Sequence, residues 1–352
     1  MNILIVGDWH SSVHEECLKL ALEELGHKTH KFSWHQNFNT DECNFFYSFF
    51  LKVQNKFIIG PIIRLINNDL IFKVKLVKPD VIFLYRGTHI WPGTIRLLKS
   101  KGIKIVSYNN DDAFSKLQPK WRWRHFIKSI VYSDICLAYR HCNIEDLKQH
   151  GAKCVYLFRS WFVPNQNFKC ELNALDKKKY QSDVVFAGHY ENDGRLEVLE
   201  EVLKQGWTLK LYGHSDQWSK PLRSSKILRH LNPIQPVWGK EYNMAINGAK
   251  VALCFMSKMN RDTYTRRCFE IPASGTALMA EYSKDLDDLF VDNESIILFK
   301  NINEFKVKLN LLLGNDKQCN EIAQNGLKVV WKDGHDLYSR VEKMIETIDL
   351  KL

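Results

Sequence analysis

Short apolar segments alternate along the whole chain with segments of helical periodicity. The first, Ile3-Leu4-Ile5-Val6, ends at Gly7, and residues 15–26 then place their leucines on one helix face. Uninterrupted apolar strands that alternate with amphipathic helices are typical of a parallel sheet covered by helices on both faces. The pattern therefore predicts an α/β fold of the doubly wound class.

The alternation occurs twice, which predicts two domains in a chain of 352 residues. We expect an N-terminal Rossmann-like domain over 1–165, a polar linker over 166–182 and a second Rossmann-like domain over 183–335. A C-terminal helix in 336–352 is expected to pack back across the domain junction. Since parallel sheets bind ligands at the carboxyl ends of their strands, we expect the site in a central cleft that both domains face.

Charge and cysteine content exclude several classes of protein. The net charge is +10, but Lys177–Lys179 is the longest basic run, so the surplus looks spread and nucleic-acid binding is not expected. Nine cysteines without a C-x-x-C pair fit reduced thiols rather than a metal or disulfide framework. Residues 7–12 (GDWHSS) lack the glycines of a dinucleotide-binding turn, which argues against an oxidoreductase.

The chain reads as a cytoplasmic protein, because it lacks a signal peptide and an apolar run long enough to cross a bilayer. Residues 45–66 are rich in phenylalanine and isoleucine and are interrupted by lysines and Arg64. Two interpretations stay open for this segment. It is either a buried helical insertion in the first domain, or a surface for peripheral contact with an anionic membrane or a lipid acceptor at the inner membrane face.

The most specific motif runs from Thr263 to Gly275 and contains Glu270-Ile271-Pro272-Ala273-Ser274-Gly275. Together with Phe186-Ala187-Gly188, Asp193-Gly194-Arg195 and Leu211-Tyr212-Gly213, it resembles the CgeB-like (spore maturation protein B-like) glycosyltransferases of the GT-B superfamily. The resemblance implies a GT-B fold and transfer of a sugar from a nucleotide-sugar donor to a glycan, lipid-linked or surface-polysaccharide acceptor. It implies no cofactor and no metal for the chemical step.

The resemblance also implies which residues react. Retaining GT-B enzymes carry two carboxylates in an E-x(7)-E pattern, and Glu270 matches the second of them. Asp262 stands where the first would be, with a shorter reach. This pair favours retention, while inversion with His10 or an aspartate as general base stays open. A protein that binds a nucleotide sugar without transferring it is a further alternative.

Donor contacts are expected mainly in the second domain. One of Arg266 and Arg267 is expected to stabilise the leaving phosphate, and Arg195 follows a glycine-containing loop suited to a diphosphate. Trp238 either packs on the base or fills the core. The donor residues expected are Gly188, Arg195, Gly213, Trp238, Thr265, Arg266, Arg267, Glu270 and Gly275. The nucleotide stays open among UDP, GDP, dTDP and CMP.

Acceptor contacts are expected in the first domain, in loops that follow its strands. The candidates are Asp8, His10, Arg86, His89, Asn110 and Asp111. The neighbouring aspartates could hold a divalent metal, but turn formation and hydroxyl recognition are favoured. The oligomeric state is not indicated.

Overall fold

The computed structural model describes residues 1–41 and 43–349, which divide into two compact units with one parallel sheet each. The first unit comprises Met1–Ser160 together with the C-terminal segment from Leu337, and the second unit comprises Trp161–Asp336. The predicted α/β fold with two doubly wound sheets is therefore confirmed.

The first unit contains a six-stranded sheet in the order β2-β1-β3-β4-β5-β6. Its central strands are buried on both faces, as expected for a parallel sheet between helices. The strands are β1 (Asn2–Gly7), β2 (Lys28–Ser33), β3 (Val81–Tyr85), β4 (Lys104–Asn109), β5 (Ile135–Ala138) and β6 (Val155–Leu157). The helices are α1 (Cys17–Glu24), α2 (Phe45–Phe57), α3 (Pro61–Val77), α4 (Pro92–Lys99), α5 (Lys120–Ser129) and α6 (His141–Gln149).

The second unit contains a five-stranded sheet in the order β11-β10-β9-β7-β8. Its core packs Val184, Leu253 and Met279 of the sheet against buried helix residues such as Leu199 and Trp218. The strands are β7 (Ser182–Ala187), β8 (Leu209–Tyr212), β9 (Ala249–Cys254), β10 (Ala277–Glu281) and β11 (Ile297–Phe299). The helices are α7 (Ala174–Tyr180), α8 (Arg195–Lys204), α9 (Ser215–Ser224), α10 (Gly239–Asn247), α11 (Arg267–Ala273), α12 (Lys284–Leu289), α13 (Ile302–Leu313) and α14 (Asp316–Lys332).

The segment expected as a linker, 166–182, is part of the second unit. It contains α7, and the Asn243 side chain both donates to the Phe168 carbonyl (3.0 Å) and accepts from its amide (3.2 Å). Asn247 accepts from the Cys170 amide at 2.9 Å. These bonds hold the segment against α10.

The last helix, α15 (Leu337–Asp349), belongs to the first unit and contacts α1 there. Its apolar stripe, which includes Val341, Met344 and Ile348, is buried. In sequence α15 follows the second unit, but it folds as part of the first unit. Among the described residues, no helix is long and apolar enough to span a membrane.

Gly213, which follows β8, has no room for a side chain. A Cβ there would lie 2.4 Å from the Gly188 carbonyl oxygen and 2.5 Å from Trp218 Nε1. The Trp218 indole donates to that same Gly188 carbonyl at 2.9 Å. Gly213 is therefore required for the close approach of the turns that follow β7 and β8.

We predict that Gly213→Ala lowers the free energy of unfolding by about 2 kcal/mol, because the methyl group must displace backbone atoms. Chemical denaturation measures this change. Gly93→Ala in α4 is the matched control, since a Cβ at Gly93 meets nothing within 4 Å. Equal unfolding free energies for the two variants would contradict the assigned role of Gly213.

Candidate functional site

The topology of the second unit fixes where a ligand can bind. β7 lies inside the sheet, with β8 on one side and β9 on the other, so the connections from β7 and β9 diverge. In open parallel sheets this divergence leaves a crevice at the carboxyl ends of the two strands. The loops at this crevice are 188–194 after β7 and 255–266 after β9.

Arg195 organises the first of these loops instead of facing a ligand. Its guanidinium donates to both carboxylate oxygens of Asp193 (2.8 and 2.6 Å) and to the His189 carbonyl (2.6 Å). It also lies within about 6 Å of the Phe186 and Phe255 ring centres, and only 3% of the residue is exposed. The phosphate contact expected of Arg195 is thus replaced by a structural role, because Asp193 already neutralises the charge.

The two loops are tied to each other and to the end of β10. The Lys258 amide donates to Glu191 (3.1 Å), and the Met256 amide donates to Glu281 (2.7 Å). Burial raises the pKa of Glu191, but hydrogen bonds from His189 and Ser257 outweigh it and lower the pKa to about 2. Glu191 therefore stays ionised and keeps the loops together at neutral pH.

Arg267, the first residue of α11, carries a half-buried positive charge at the crevice. Its Nη2 atom lies 3.3 Å from the position that a Cβ would take on Gly188. Within the described ranges, no carboxylate pairs with this guanidinium. Since a partly buried guanidinium normally has an anionic partner, Arg267 is suited to bind an anionic ligand beside the glycine loop.

Glu270 and Arg266 form a pair inside the protein. Arg266 Nε lies 2.6 Å from Glu270 Oε1, and Glu270 Oε2 accepts from the Tyr242 hydroxyl at 3.1 Å. Glu270 is 5% exposed, and burial together with its charge raises the pKa of Tyr242 well above the usual value. Glu270 thus joins the start of α11 to α10, and its two oxygens are oriented from both sides.

Thr265 and Asp262 lie between β9 and α11. The Thr265 hydroxyl is 3.4 Å from Cys254 Sγ at the end of β9, and its amide faces Cys268 Sγ at 3.5 Å. The Asp262 amide donates to the Ser257 carbonyl at 2.9 Å, which closes the turn, and its side chain is half-buried. Both residues are therefore in the crevice loop, as their candidate roles require.

Trp238 is on the surface, so its interpretation as a core residue is wrong. It is 68% exposed and precedes α10, one turn before Tyr242. Its ring centre lies 5.7 Å from that of His214, which follows β8 and Gly213. The tryptophan thus presents an open ring surface at the same edge of the sheet as Arg267.

Gly275 is at the opposite edge of the sheet from the crevice. It ends α11 with a φ of +72° and packs against Lys169. With Thr276, Lys178 and Lys250 it lines a pocket of about 810 Å³ near the amino ends of β7, β9 and β10. The donor contact expected of Gly275 is therefore not supported, because α11 carries the chain away from the carboxyl edge before Gly275 is reached.

The first unit has a switch point of its own between β1 and β3. Arg86, after β3, lies 3.2 Å from Asp8 after β1 and 3.4 Å from Asp111 after β4, and donates to Asn110 at 2.7 Å. Arg86 adopts a φ of +57°, which is strained for a residue with a side chain, and strained residues of this kind cluster at functional sites. Four of the acceptor candidates are therefore brought together.

Sequence reasoning missed Glu15, which lies beneath this cluster. The residue is fully buried, and its Oε1 accepts from the amides of Asp8 (3.0 Å) and Trp9 (3.3 Å). Burial, and then the charge of Asp8, raise the pKa of Glu15 to about 7. The sequence signal that could have indicated it was Gly7, because a glycine leaves space at the end of β1. In the structure the Glu15 carboxylate fills that space, since a Cβ on Gly7 would lie 2.2 Å from Glu15 Oε1.

The two histidine candidates of the first unit differ. His10 is exposed next to the cluster, with its amide bonded to Asp8 at 3.1 Å. His89 is buried, stacks on Trp34 at 3.8 Å and bonds to Thr88 and Asn55 through its two ring nitrogens. Burial lowers the pKa of His89 to about 3. The acceptor contact expected of His89 is therefore replaced by a role in the core.

The neighbouring aspartates have partners within the protein, and Asp111 lies 3.4 Å from Arg86. Asp112 is fully buried and accepts from Asn143 at 2.9 Å, so it closes a turn. No group of three or more His, Cys, Asp or Glu residues is arranged to hold a metal among the residues described.

We predict that the stability of the first unit falls between pH 5 and pH 8 because of Glu15. Its carboxyl titrates near 4.5 when unfolded and near 7 when folded, so the folded state binds more protons in between. Relative to Glu15→Gln, the wild type should therefore lose about 2 kcal/mol of unfolding free energy as pH rises. Glu24→Gln, at an exposed position of α1, is the control. Parallel pH profiles for wild type and Glu15→Gln would contradict this prediction.

Comparison with known proteins agrees with this geometry. Residues 195–346 match the family model described as "Glycosyl transferase-like". No protein among the curated sequences matches the chain significantly.

Several solved structures are similar to nearly the whole chain. Sucrose-phosphate synthase from Thermosynechococcus elongatus is 12% identical, with a TM-score of 0.73 over 99% of this chain and 98% of the other. HepE from Anabaena, in complex with UDP-glucose, is 11% identical, with a TM-score of 0.69 over 99% of both chains. Trehalose-6-phosphate synthase is 10% identical, with a TM-score of 0.68 and the same coverage. At such low identity the structures establish the fold alone. The chain therefore has the GT-B fold, and its residues 195–346 are similar to the glycosyl transferase-like family.

Proposed function

We propose that the chain transfers a sugar from a nucleotide-sugar donor to a hydroxyl-bearing acceptor. The observation that supports this most directly is Arg267, whose unpaired guanidinium lies beside Gly188 at the switch point of the second sheet. A guanidinium can bind two phosphate oxygens at once and stabilise the negative charge that develops on the leaving phosphate. Arg267 takes this role, while Arg266 stays paired with Glu270.

Trp238 and His214 take the nucleotide base in this proposal. The exposed tryptophan ring offers an apolar surface on which a base can stack, and His214 offers a polar edge beside it. A uridine nucleotide is the first donor to test, because the similar HepE structure contains UDP-glucose. GDP-, dTDP- and CMP-sugars stay open, since stacking does not distinguish among bases.

The cluster of Asp8, Arg86, Asn110 and Asp111 takes the acceptor. Its carboxylates and amide can bind sugar hydroxyls, and Arg86 holds the two carboxylates in place at 3.2 and 3.4 Å. The acceptor is a glycan, a surface polysaccharide or a lipid-linked sugar. The finer assignment of the chain to the CgeB-like group also stays a prediction, supported by the residues from Thr263 to Gly275.

Retention of configuration is the preferred stereochemistry. It is supported by Asp262 and Glu270 in the loop and helix after β9, and by the likeness to trehalose-6-phosphate synthase, whose structure comes from work on glycosyl transfer with retention. Inversion would require a base such as His10 or an aspartate of the acceptor cluster. NMR of the product, which reports its anomeric configuration, separates the two. A protein that binds the nucleotide sugar without transfer would show no product.

We predict that Arg267→Gln weakens UDP binding at least about tenfold, because a charge-assisted pair of hydrogen bonds to phosphate is lost. Isothermal titration calorimetry with UDP measures the change. The matched control is Lys178→Gln, which removes an exposed positive charge from the pocket at the opposite edge of the sheet. Loss of binding in Lys178→Gln, with Arg267→Gln unaffected, would move the nucleotide site to that pocket and overturn the proposal.

A further inference from the structure

Helix α2 exposes several phenylalanine side chains to solvent. Phe45 and Phe46 are 79% and 82% exposed, and Phe49, Phe50 and Phe57 are 61%, 44% and 42% exposed. We call these five residues the phenylalanine face. Single exposed apolar residues are common, but five large aromatic side chains on one short helix mark a surface that binds something.

The interactions beneath α2 keep this face turned outward. Leu51 and Gln54 are its buried residues, and Gln54 Oε1 accepts from the Ile62 amide at the start of α3 at 2.9 Å. Gly60, with a φ of +102°, leaves room for the Gln54 side chain in the turn between the two helices. For α2, the interpretation of residues 45–66 as a buried insertion is therefore wrong, although α3 does bury Ile63 and Ile66.

Positive charge is concentrated on α2 and on the two helices that contact it, α3 and α5. Helices α2, α3 and α5 contain nine basic residues and one acidic residue, Asp69, whereas the remainder of the chain contains 41 basic and 39 acidic residues. The surplus that looked evenly spread in the sequence is thus mostly located on three helices. The basic residues are Lys52, Lys56, Arg64, Lys73, Lys75, Lys120, Arg122, Arg124 and Lys128.

Direct contacts place α5 next to the phenylalanine face. The ring centres of Phe57 and Trp121 are 5.5 Å apart, and Arg124 donates to the Phe57 carbonyl at 2.9 Å. Lys120, Trp121 and Arg122 are exposed at the start of α5. The Phe57 carbonyl and Arg124, which are 67 residues apart in sequence, are in contact, so aromatic and basic side chains of α2 and α5 share one surface.

We propose that the phenylalanine face docks on an anionic membrane surface. Aromatic side chains on an amphipathic helix enter the boundary between headgroups and acyl chains, while flanking lysines and arginines bind anionic headgroups. A second copy of the chain fits less well, because it would bring two strongly positive surfaces together. The proposal concerns a surface of the first unit and holds whether or not the chain transfers a sugar.

Vesicle sedimentation tests the proposal. The full chain should sediment with vesicles of phosphatidylcholine mixed with phosphatidylglycerol, and much less with pure phosphatidylcholine. Raising the salt concentration should weaken the binding, because it screens the attraction between lysines and headgroups. Phe45→Ser/Phe49→Ser and Lys52→Gln/Lys56→Gln should each lower the bound fraction at least about tenfold.

The matched control is Val307→Ser/Leu311→Ser, which removes two apolar residues, 60% and 65% exposed, at the same spacing on α13 of the second unit. This variant should bind vesicles like the wild type. Equal midpoints of thermal unfolding would show that all variants are folded. Equal binding to neutral and anionic vesicles, or wild-type binding by Phe45→Ser/Phe49→Ser, would overturn the proposal. The proposal would also be overturned if the wild type did not bind vesicles but formed a dimer that Phe45→Ser/Phe49→Ser abolished.

Discussion

The position of the first strand of each sheet is the constraint on which the rest of the structure depends. β1 and β7 each lie inside their sheet with neighbours on both sides, so consecutive connections must diverge. The divergence leaves a crevice at the carboxyl ends, and the polar residues of each unit collect there. Asp8 and Arg86 meet at one crevice, and Gly188 and Arg267 meet at the other. Glycines at the ends of β1, β7 and β8 then allow the close approaches on which both arrangements rest.

Three arginines near the second crevice illustrate how charge pairing separates structural from functional roles. Arg195 donates to both carboxylate oxygens of Asp193 through Nε and Nη2, so it fixes the shape of the loop after β7. Arg266 is held by Glu270, which also accepts from Tyr242 and so aligns α10 with α11. Only Arg267, of these three, has a guanidinium left to neutralise a ligand. In the proposed function, a phosphate group supplies the missing charge, and the same contact favours its departure from the sugar.

The sequence was sufficient for the two sheets because apolar strands and helix periodicity are local signals. Whether a single side chain is buried, paired or free depends on contacts between distant segments. Predictions of these side-chain environments were less reliable. Arg195 and His89 looked like ligand contacts, but Asp193 and Trp34 bind them inside the protein. Trp238 was open between the core and a nucleotide base, and the core alternative failed because α10 begins at the edge of the sheet. The basic surplus looked spread, because α5 joins α2 only in the folded chain.

The central claim is that the nucleotide binds at the carboxyl edge of the second sheet. Hydrogen exchange with and without UDP, read out by mass spectrometry, tests it most directly, because binding slows exchange of the backbone amides that it covers or rigidifies. The account predicts slower exchange in 188–194 and 255–267 and around Trp238, with little change in 169–182 at the amino edge. Protection confined to 169–182 and 247–250, which line the opposite pocket, would contradict it.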